Sequence, residues 1–233
     1  IRVFKEMKPS KMGIRIDSGD VTYLTKQARK MLDEAGFEDC SIVVSNSLDE
    51  YIIGDILRQG ACIDSFGVGE RLITSRSEPV FGGVYKLVAV EENDEIVPKI
   101  KISENVSKIT TPYFKTPYRL FSKETGMAIA DVLTTYDETI DDSGKYEIFD
   151  PGNTWKRKTL TDFEVRPLQV RLFDKGRCVY ESPSLEEIKN YCKKEVKTIW
   201  DEVKRFENPH EYYVDMSQKL WDIRYKLLAG YNA

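Results

Sequence analysis

Residues 11–36 read KMGIRIDSGDVTYLTKQARKMLDEAG, and the fold is predicted outward from this stretch. The apolar run GIRID over residues 13–17 is typical of a short strand. Apolar residues then recur at helical spacing until Gly36, a typical helix stop. They are Leu24, Ala28, Met31, Leu32 and Ala35. The polar cluster DSGD, residues 17–20, lies between the predicted strand and the predicted helix.

The same order of strand, polar cluster and helix recurs twice. Residues 41–45 (SIVVS) precede a helical pattern in which Ser47 and Glu50 have the spacing of a capping box. Residues 62–66 (CIDSF) run into GVG at residues 67–69. Such repeats predict parallel strands, buried on both faces and covered by helices, the α/β class. Because ligands of these folds bind beyond the carboxyl ends of the strands, the polar clusters predict a ligand site there.

The rest of the chain predicts antiparallel strands and then helices. Hairpins are predicted within residues 84–102, 118–129 and 168–180, and residues 137–162 are predicted to be a loop or arm. A helix is predicted to start at a capping box of Ser184 and Glu187, with one apolar face running to Phe206, and a last helix to end at Gly230. His210, between them, is predicted to pack among tyrosines.

Composition narrows the class of protein. The 233 residues suit one and a half or two compact units. A net charge of -4 argues against a nucleic-acid partner, and the sequence lacks an apolar run long enough to predict a membrane span. The four cysteines are far apart and are predicted to be reduced and mostly buried, as in a cytoplasmic protein. The first residue is isoleucine, from which we expect a fragment.

Arg15 and Asp17 share a face of the first predicted strand, because they are two residues apart. If both pointed into a barrel, they would have to pair or to contact a ligand. A carboxylate also suits the vicinal hydroxyls of ribose. The alternative interpretation is a plain turn in which Ser18 or Asp20 caps the next helix.

The other two clusters predict an anion site. Ser45, Asn46 and Ser47 offer hydroxyls and backbone N–H groups at a positive helix end, although Ser47 alternatively only caps the helix. Gly67 and Gly69 would let backbone N–H groups approach a phosphate. The third glycine of the dinucleotide fingerprint is missing, so a Rossmann cofactor site is not expected.

An ordered set of motifs resembles nicotinate phosphoribosyltransferase, in its C-terminal half. The motifs are GIRIDSGD (13–20), VVSNSLDEYII (43–53), SFGVGERLITS (65–75), FGGVYKLVAVE (81–91), KISENVSKIT (101–110) and ENPHEYYVDMSQKLWDIRYKLL (207–228). The resemblance implies part of an irregular type II phosphoribosyltransferase α/β barrel at residues 1–115. A C-terminal β-hairpin and helical region at 116–233 is implied after it.

The resemblance also implies an activity. The family joins nicotinate to 5-phosphoribosyl-1-pyrophosphate (PRPP), giving nicotinate mononucleotide and pyrophosphate, with ATP hydrolysis, in NAD salvage. Mg²⁺ would be bound with PRPP and ATP, and no residue of this chain is expected to be a dedicated metal ligand. By resemblance, Arg15 and Asp17 are the expected catalytic residues. The expected ribose- and phosphate-binding residues are Ser18, Asp20, Ser45, Asn46, Ser47, Gly67, Gly69 and Glu70.

The resemblance further implies partners. The histidine that ATP phosphorylates belongs to the N-terminal half of the family's enzymes, so this chain alone is expected to be inactive and to need that half; a homodimer is also expected. Two alternatives stay open. One is a different phosphate-binding barrel enzyme, which would need a lysine or glutamate base at a strand end. The other is a non-catalytic binding module.

Overall fold

The protein is described by a computed structural model covering residues 1–80 and 82–230. Contacts divide the chain into an N-terminal unit, Ile1–Gly83, and a C-terminal unit, Val84–Ala233. The predicted boundary between residues 115 and 116 is a boundary between family domains and stays a prediction. None of the helices within the described residues is long and apolar enough to cross a membrane.

The described part of the N-terminal unit alternates strands and helices, as the repeats predicted. Its strands are β1 (Gly13–Ile16), β2 (Ser41–Ser45) and β3 (Ser65–Gly67), which form a parallel sheet in the order β1-β2-β3. Its helices are α1 (Arg2–Met7), α2 (Val21–Glu34), α3 (Glu50–Arg58) and α4 (Glu70–Ile73). Within residues 1–80 and 82–83 these strands do not close a barrel.

The two faces of this sheet differ. Ile42 and Val44 of β2 are completely buried, in clusters that include Leu32 of α2 and Ile56 of α3. The opposite face carries Arg15, which is largely exposed, the half-buried Val43, and polar or small residues of β2 and β3. The prediction of strands buried on both faces was therefore wrong. Within this unit, the covering helices bury a single face, and the other face stays open to solvent.

The C-terminal unit is built on a mixed sheet. Its strands are β6 (Lys115–Ser122), β7 (Ala128–Thr135), β10 (Phe163–Pro167) and β13 (Val214–Met216), in the order β10-β6-β7-β13. β6 pairs antiparallel with β7 and with β10, whereas β13 runs parallel to β7. The core of this unit is a cluster of fully or nearly fully buried residues, Leu120, Ala130, Val132, Ile140, Ile148, Leu160 and Phe163.

Three small hairpins accompany this sheet. They are β4 (Ala89–Glu92) with β5 (Glu95–Pro98), β8 (Tyr146–Phe149) with β9 (Arg157–Leu160), and β11 (Phe173–Asp174) with β12 (Arg177–Cys178). A short 3₁₀ helix spans Val106–Lys108. The predicted loop at residues 137–162 was wrong, because β8 and β9 bury Ile148, Phe149 and Leu160. These apolar residues are too few and too scattered among polar ones to give a clear period.

The C-terminal helices are α5 (Leu185–Thr198) and α6 (Gln218–Gly230). The capping box of Ser184 and Glu187 at the start of α5 is confirmed. The predicted continuation to Phe206 was wrong, because the backbone is extended at Ile199.

Two predictions about single side chains have different outcomes. Cys178 and Cys192 are exposed, although the cysteines were predicted to be mostly buried. His210 packs between Trp200 and Tyr213, with ring centroids 6.2 and 5.8 Å away, as the packing interpretation predicted.

Candidate functional site

The carboxyl ends of β1, β2 and β3 lie side by side. In the sheet register Ile16 is opposite Val44, and Ser45 is opposite Gly67. The three predicted clusters therefore follow adjacent strands at one edge of the sheet. This convergence is a property of parallel strands, whose carboxyl ends meet at the same edge.

Arg15 connects two of these clusters. Its Nε donates a hydrogen bond of 3.0 Å to Ser45 Oγ, and its guanidinium forms an ion pair with Asp17. The predicted pairing with Asp17 is thus present, but the side chains are 63% and 49% exposed rather than enclosed. An exposed ion pair contributes little to stability, so a ligand could replace either partner at small cost.

Asn46 and Ser47 both have positive φ, 107° and 50°. Such backbone is unfavourable for residues with a side chain and costs on the order of 1–3 kcal/mol per residue. Both residues are exposed. Strain at two consecutive exposed residues at the end of β2 is a feature that functional sites often have, and it turns the chain sharply over the sheet edge.

The predicted capping box of Ser47 and Glu50 was wrong. The N-cap of α3 is Asp49, whose carboxylate accepts a 2.8 Å hydrogen bond from the backbone N–H of Ile52. Ser47, with its positive φ, lies two residues before this N-cap and outside the helix. Because it is not capping α3, the Ser47 hydroxyl is available for other contacts.

Asp20, by contrast, is a helix cap. Its carboxylate accepts a 3.0 Å hydrogen bond from the backbone N–H of Tyr23 at the start of α2. The alternative interpretation of residues 17–20 is therefore correct for Asp20, which has a structural role whether or not it also contacts a ligand. Ser18 is exposed in the same turn, next to Gly19 with its φ of 79°.

Gly67 needs to be small. A Cβ added there would lie 3.2 Å from the Cβ of Ser45, so a side chain would press directly on the hydroxyl residue of β2. Gly69 is the N-cap residue of α4, and a Cβ added there would meet nothing within 4 Å. The space beside Gly69 and Glu70 is thus open at the sheet edge.

Asp49 and Arg71 were missed by the sequence analysis. Arg71 of α4 forms an ion pair with the Asp49 carboxylate, and the two side chains are about four-fifths buried, at 20% and 22% exposed. The N–H of Ile52 and the Arg71 guanidinium lower the pKa of Asp49, which keeps it ionised. The pair ties the segment after β2 to the segment after β3. The spacing from Asp49 to Ile52 was a detectable cap signal, but nothing local to Arg71 indicated its partner.

The fold and this sheet edge define a class, a mixed α/β protein with polar and small residues gathered at the ends of parallel strands. Residues 114–224 match the nicotinate phosphoribosyltransferase C-terminal domain family. Nicotinate phosphoribosyltransferase of Bacillus subtilis is 43% identical over 95% of this chain and 46% of its own length. That of Dictyostelium discoideum is 35% identical over 93% of this chain and 38% of its own length. The resemblance is confirmed, and this chain is related to the nicotinate phosphoribosyltransferases.

A solved structure gives the same fold. The crystal structure of human nicotinic acid phosphoribosyltransferase matches 93% of this chain with a TM-score of 0.67 and 24% identity, and 40% of that chain is covered. The chain spans less than half the length of the relatives it matches. The strands that carry the candidate site precede the matched family domain, which begins at residue 114.

Proposed function

We propose that the carboxyl ends of β1–β3 bind the ribose 5-phosphate part of a nucleotide, and that this chain takes part in forming nicotinate mononucleotide from nicotinate and PRPP. The main observation behind this proposal is the arrangement of Arg15, Asp17 and Ser45 beside the strained Asn46–Ser47 turn. The names of the relatives support the substrate class.

Each group has a distinct part in this proposal. The Ser45 and Ser47 hydroxyls and the backbone N–H groups near Gly69 and Glu70 hold the phosphate, because oriented donors at an open edge suit an anion. Gly67 keeps the floor of the site flat, since any side chain there would meet Ser45.

Asp17 faces the reacting carbon in this proposal. Displacement of pyrophosphate from ribose builds positive charge at the anomeric carbon, and a fixed carboxylate stabilises such charge. Arg15 positions that carboxylate and, through Ser45, relates it to the phosphate end of the site. Ser18 and Asp20 would contact the ribose hydroxyls, Asp20 through the oxygen that is not used by its cap.

Mg²⁺ is proposed to be bound mainly by pyrophosphate oxygens, and carboxylate and hydroxyl oxygens at this edge are the kind of ligand it accepts. When bound, the ion would neutralise the charge of the leaving group. ATP is proposed as a co-substrate whose site lies in the other half of the family's enzymes.

Further parts of the proposal concern the assembly. β1–β3 would belong to an irregular barrel that the N-terminal half of the family's enzymes completes. The reaction would require that half. A homodimer and a cytoplasmic location are also proposed. The 233 residues assayed alone with nicotinate, PRPP, ATP and Mg²⁺ are expected to give no turnover; measurable formation of nicotinate mononucleotide would contradict this part.

The binding part is tested separately by calorimetric titration with nicotinate mononucleotide. Replacing Asp17 or Ser47 with alanine should weaken binding about tenfold or more, since hydrogen bonds to charged groups contribute about 1.5–3 kcal/mol. Asp39→Ala is the matched control, because Asp39 is exposed just before the amino end of β2, away from the proposed site. Equal losses in Asp39→Ala and Asp17→Ala would contradict the proposed site.

A further inference from the structure

Asp215 is a buried carboxylate on β13, an edge strand of the mixed sheet in the C-terminal unit. It lies in the middle of β13, opposite Val132 of β7, and is 6% exposed. Val132 is fully buried in the core of the C-terminal unit, so Asp215 points from β13 toward that core. Within residues 1–80 and 82–230 its carboxylate has no hydrogen bond or ion pair. A buried charge without a partner is costly, and such groups normally meet a ligand or a counter-charge.

A cavity of about 230 Å³ opens beside this carboxylate, lined by residues of β8, of β9 and of the turn between them, and by Tyr213 and Asp215. The volume corresponds to about eight water molecules at roughly 30 Å³ each, which suits a molecule the size of a small amino acid. The cavity is therefore large enough for an organic ligand but too small for a nucleotide.

Most other charges at the cavity are already engaged. Asp150 accepts hydrogen bonds from the N–H groups of Gly152 and Asn153, at 2.8 and 3.0 Å, and Lys156 Nζ lies 3.6 Å from it. Arg157 pairs with Glu147 at 2.5 Å.

Lys158 is different from these neighbours. It is exposed at the cavity and has no ion pair within the described residues. In the register of β8 and β9 it is opposite the buried Ile148, so it lies on the core-facing side of the hairpin, as Asp215 lies on the core-facing side of β13. The cavity thus combines one uncompensated carboxylate inside with one uncompensated ammonium group.

We propose that this cavity binds a small zwitterion of the α-amino acid class, with its ammonium group against Asp215 and its carboxylate against Lys158. This site shares no residue with the sheet edge of β1–β3 and does not depend on the function proposed there. A metal ion is a weaker fit, since within the described residues no group of three or more His, Cys, Asp or Glu side chains is arranged to hold one.

The ionisation of Asp215 supports this choice of ligand. Burial and the nearby Asp150 raise the pKa of Asp215 to about 6. The charged and titratable groups that face it across the cavity are Asp150, Lys156, Arg157, Lys158 and Tyr213. An ammonium ligand binds the ionised carboxylate, so its affinity should rise as the pH is raised from 5 to 7.

The test uses three probes that differ by one group each. L-Alanine carries both charges, ethylamine lacks the carboxylate, and propionate lacks the ammonium group. Each is titrated into the whole chain while the amide and side-chain carboxyl resonances of Asp215 are followed by NMR. L-Alanine is expected to shift both resonances and to bind at least tenfold more tightly than ethylamine, and propionate is expected to leave them unchanged.

Two variants separate the site from non-specific effects. Asp215→Asn should abolish L-alanine binding, and Glu164→Gln, an exposed carboxylate on β10, should leave it unchanged. If Asp215→Asn fails to fold, the carboxyl resonance of Asp215 in the unmodified chain still decides. No shift with L-alanine at tens of millimolar, or an equal shift with propionate, would overturn the proposal. A Lys158→Met variant gives a further check. If it raises the pKa of Asp215 while L-alanine shifts neither resonance, Lys158 would itself be the partner of Asp215, and the proposal would be overturned.

Discussion

Replacing Asp215 with asparagine should change how the stability of the C-terminal unit depends on pH. Burial and the neighbouring Asp150 raise the pKa of the folded-state carboxyl from 3.8 to about 6. The difference, about 2 pKa units at 1.36 kcal/mol each, corresponds to about 3 kcal/mol as an upper limit. Asparagine has nearly the same shape and cannot ionise, so it removes this contribution.

The sign follows from which form the fold prefers. At pH 4 the carboxyl is protonated in the folded state and about half protonated in the unfolded state, so Asp215 costs the fold little through its charge. As the pH rises through 6, the folded state must bury a carboxylate, and the stability present at low pH is lost. The free energy of unfolding of Asp215→Asn, relative to the unmodified chain, should therefore increase by up to about 3 kcal/mol between pH 4 and 7.

The assay is urea unfolding at several pH values, followed by tryptophan fluorescence. All three tryptophans, Trp155, Trp200 and Trp221, belong to the C-terminal unit, so the signal reports on the unit that contains Asp215. Other carboxylates titrate in both proteins and cancel in the comparison; Glu164→Gln serves as the control. A stability difference between Asp215→Asn and the unmodified chain that stays constant from pH 4 to 7 would refute the reasoning.

Two further predictions concern other residues. Arg119 and Asp131 form an ion pair with two hydrogen bonds of 2.8 and 2.9 Å, and their side chains are only 19% and 16% exposed. Arg119→Met should therefore destabilise the C-terminal unit by about 3 kcal/mol in urea unfolding, because it leaves the carboxylate of Asp131 without its partner. Adding Asp131→Leu should recover much of this loss. A double variant that is no more stable than Arg119→Met alone would contradict the pairing. Asn46→Gly should unfold no more easily than the unmodified chain, whereas Asn46→Ala should unfold more easily, because glycine alone suits the φ of 107°; equal melting of the two variants would count against strain at this turn.

The sequence predicted the N-terminal unit well because its signals are local. An apolar run of four or five residues followed by helical spacing is enough to place β1, β2 and their helices, and parallel pairing then brings residues 17–20, 45–47 and 67–69 to one edge. What failed was the distinction between a sheet covered on one face and one covered on both. Val43 sits in an unbroken apolar run, yet it lies on the half-open face with Arg15.

Long-range partners were beyond prediction from the sequence. By residue type, Ser47 and Asp49 suit the N-cap of α3 equally well. The structure has Asp49 at the N-cap, and Asn46 and Ser47 before it have positive φ. Arg71 lies 22 residues from Asp49, and the buried Asp215 lies far along the chain from Val132, its neighbour in the sheet. Tertiary contacts of this kind leave no spacing signal in a single sequence.

Mapping of bound nicotinate mononucleotide by NMR tests the central proposal most directly. The nucleotide is titrated into the isotope-labelled chain, and the backbone amide shifts are compared between the two units. The proposal predicts shifts concentrated at residues 45–47 and 67–70, with the amides of residues 148–158 and 213–215 unchanged. Shifts concentrated in the C-terminal unit, or no shifts in a folded chain at nucleotide concentrations of several millimolar, would contradict a ribose-phosphate site at the ends of β1–β3.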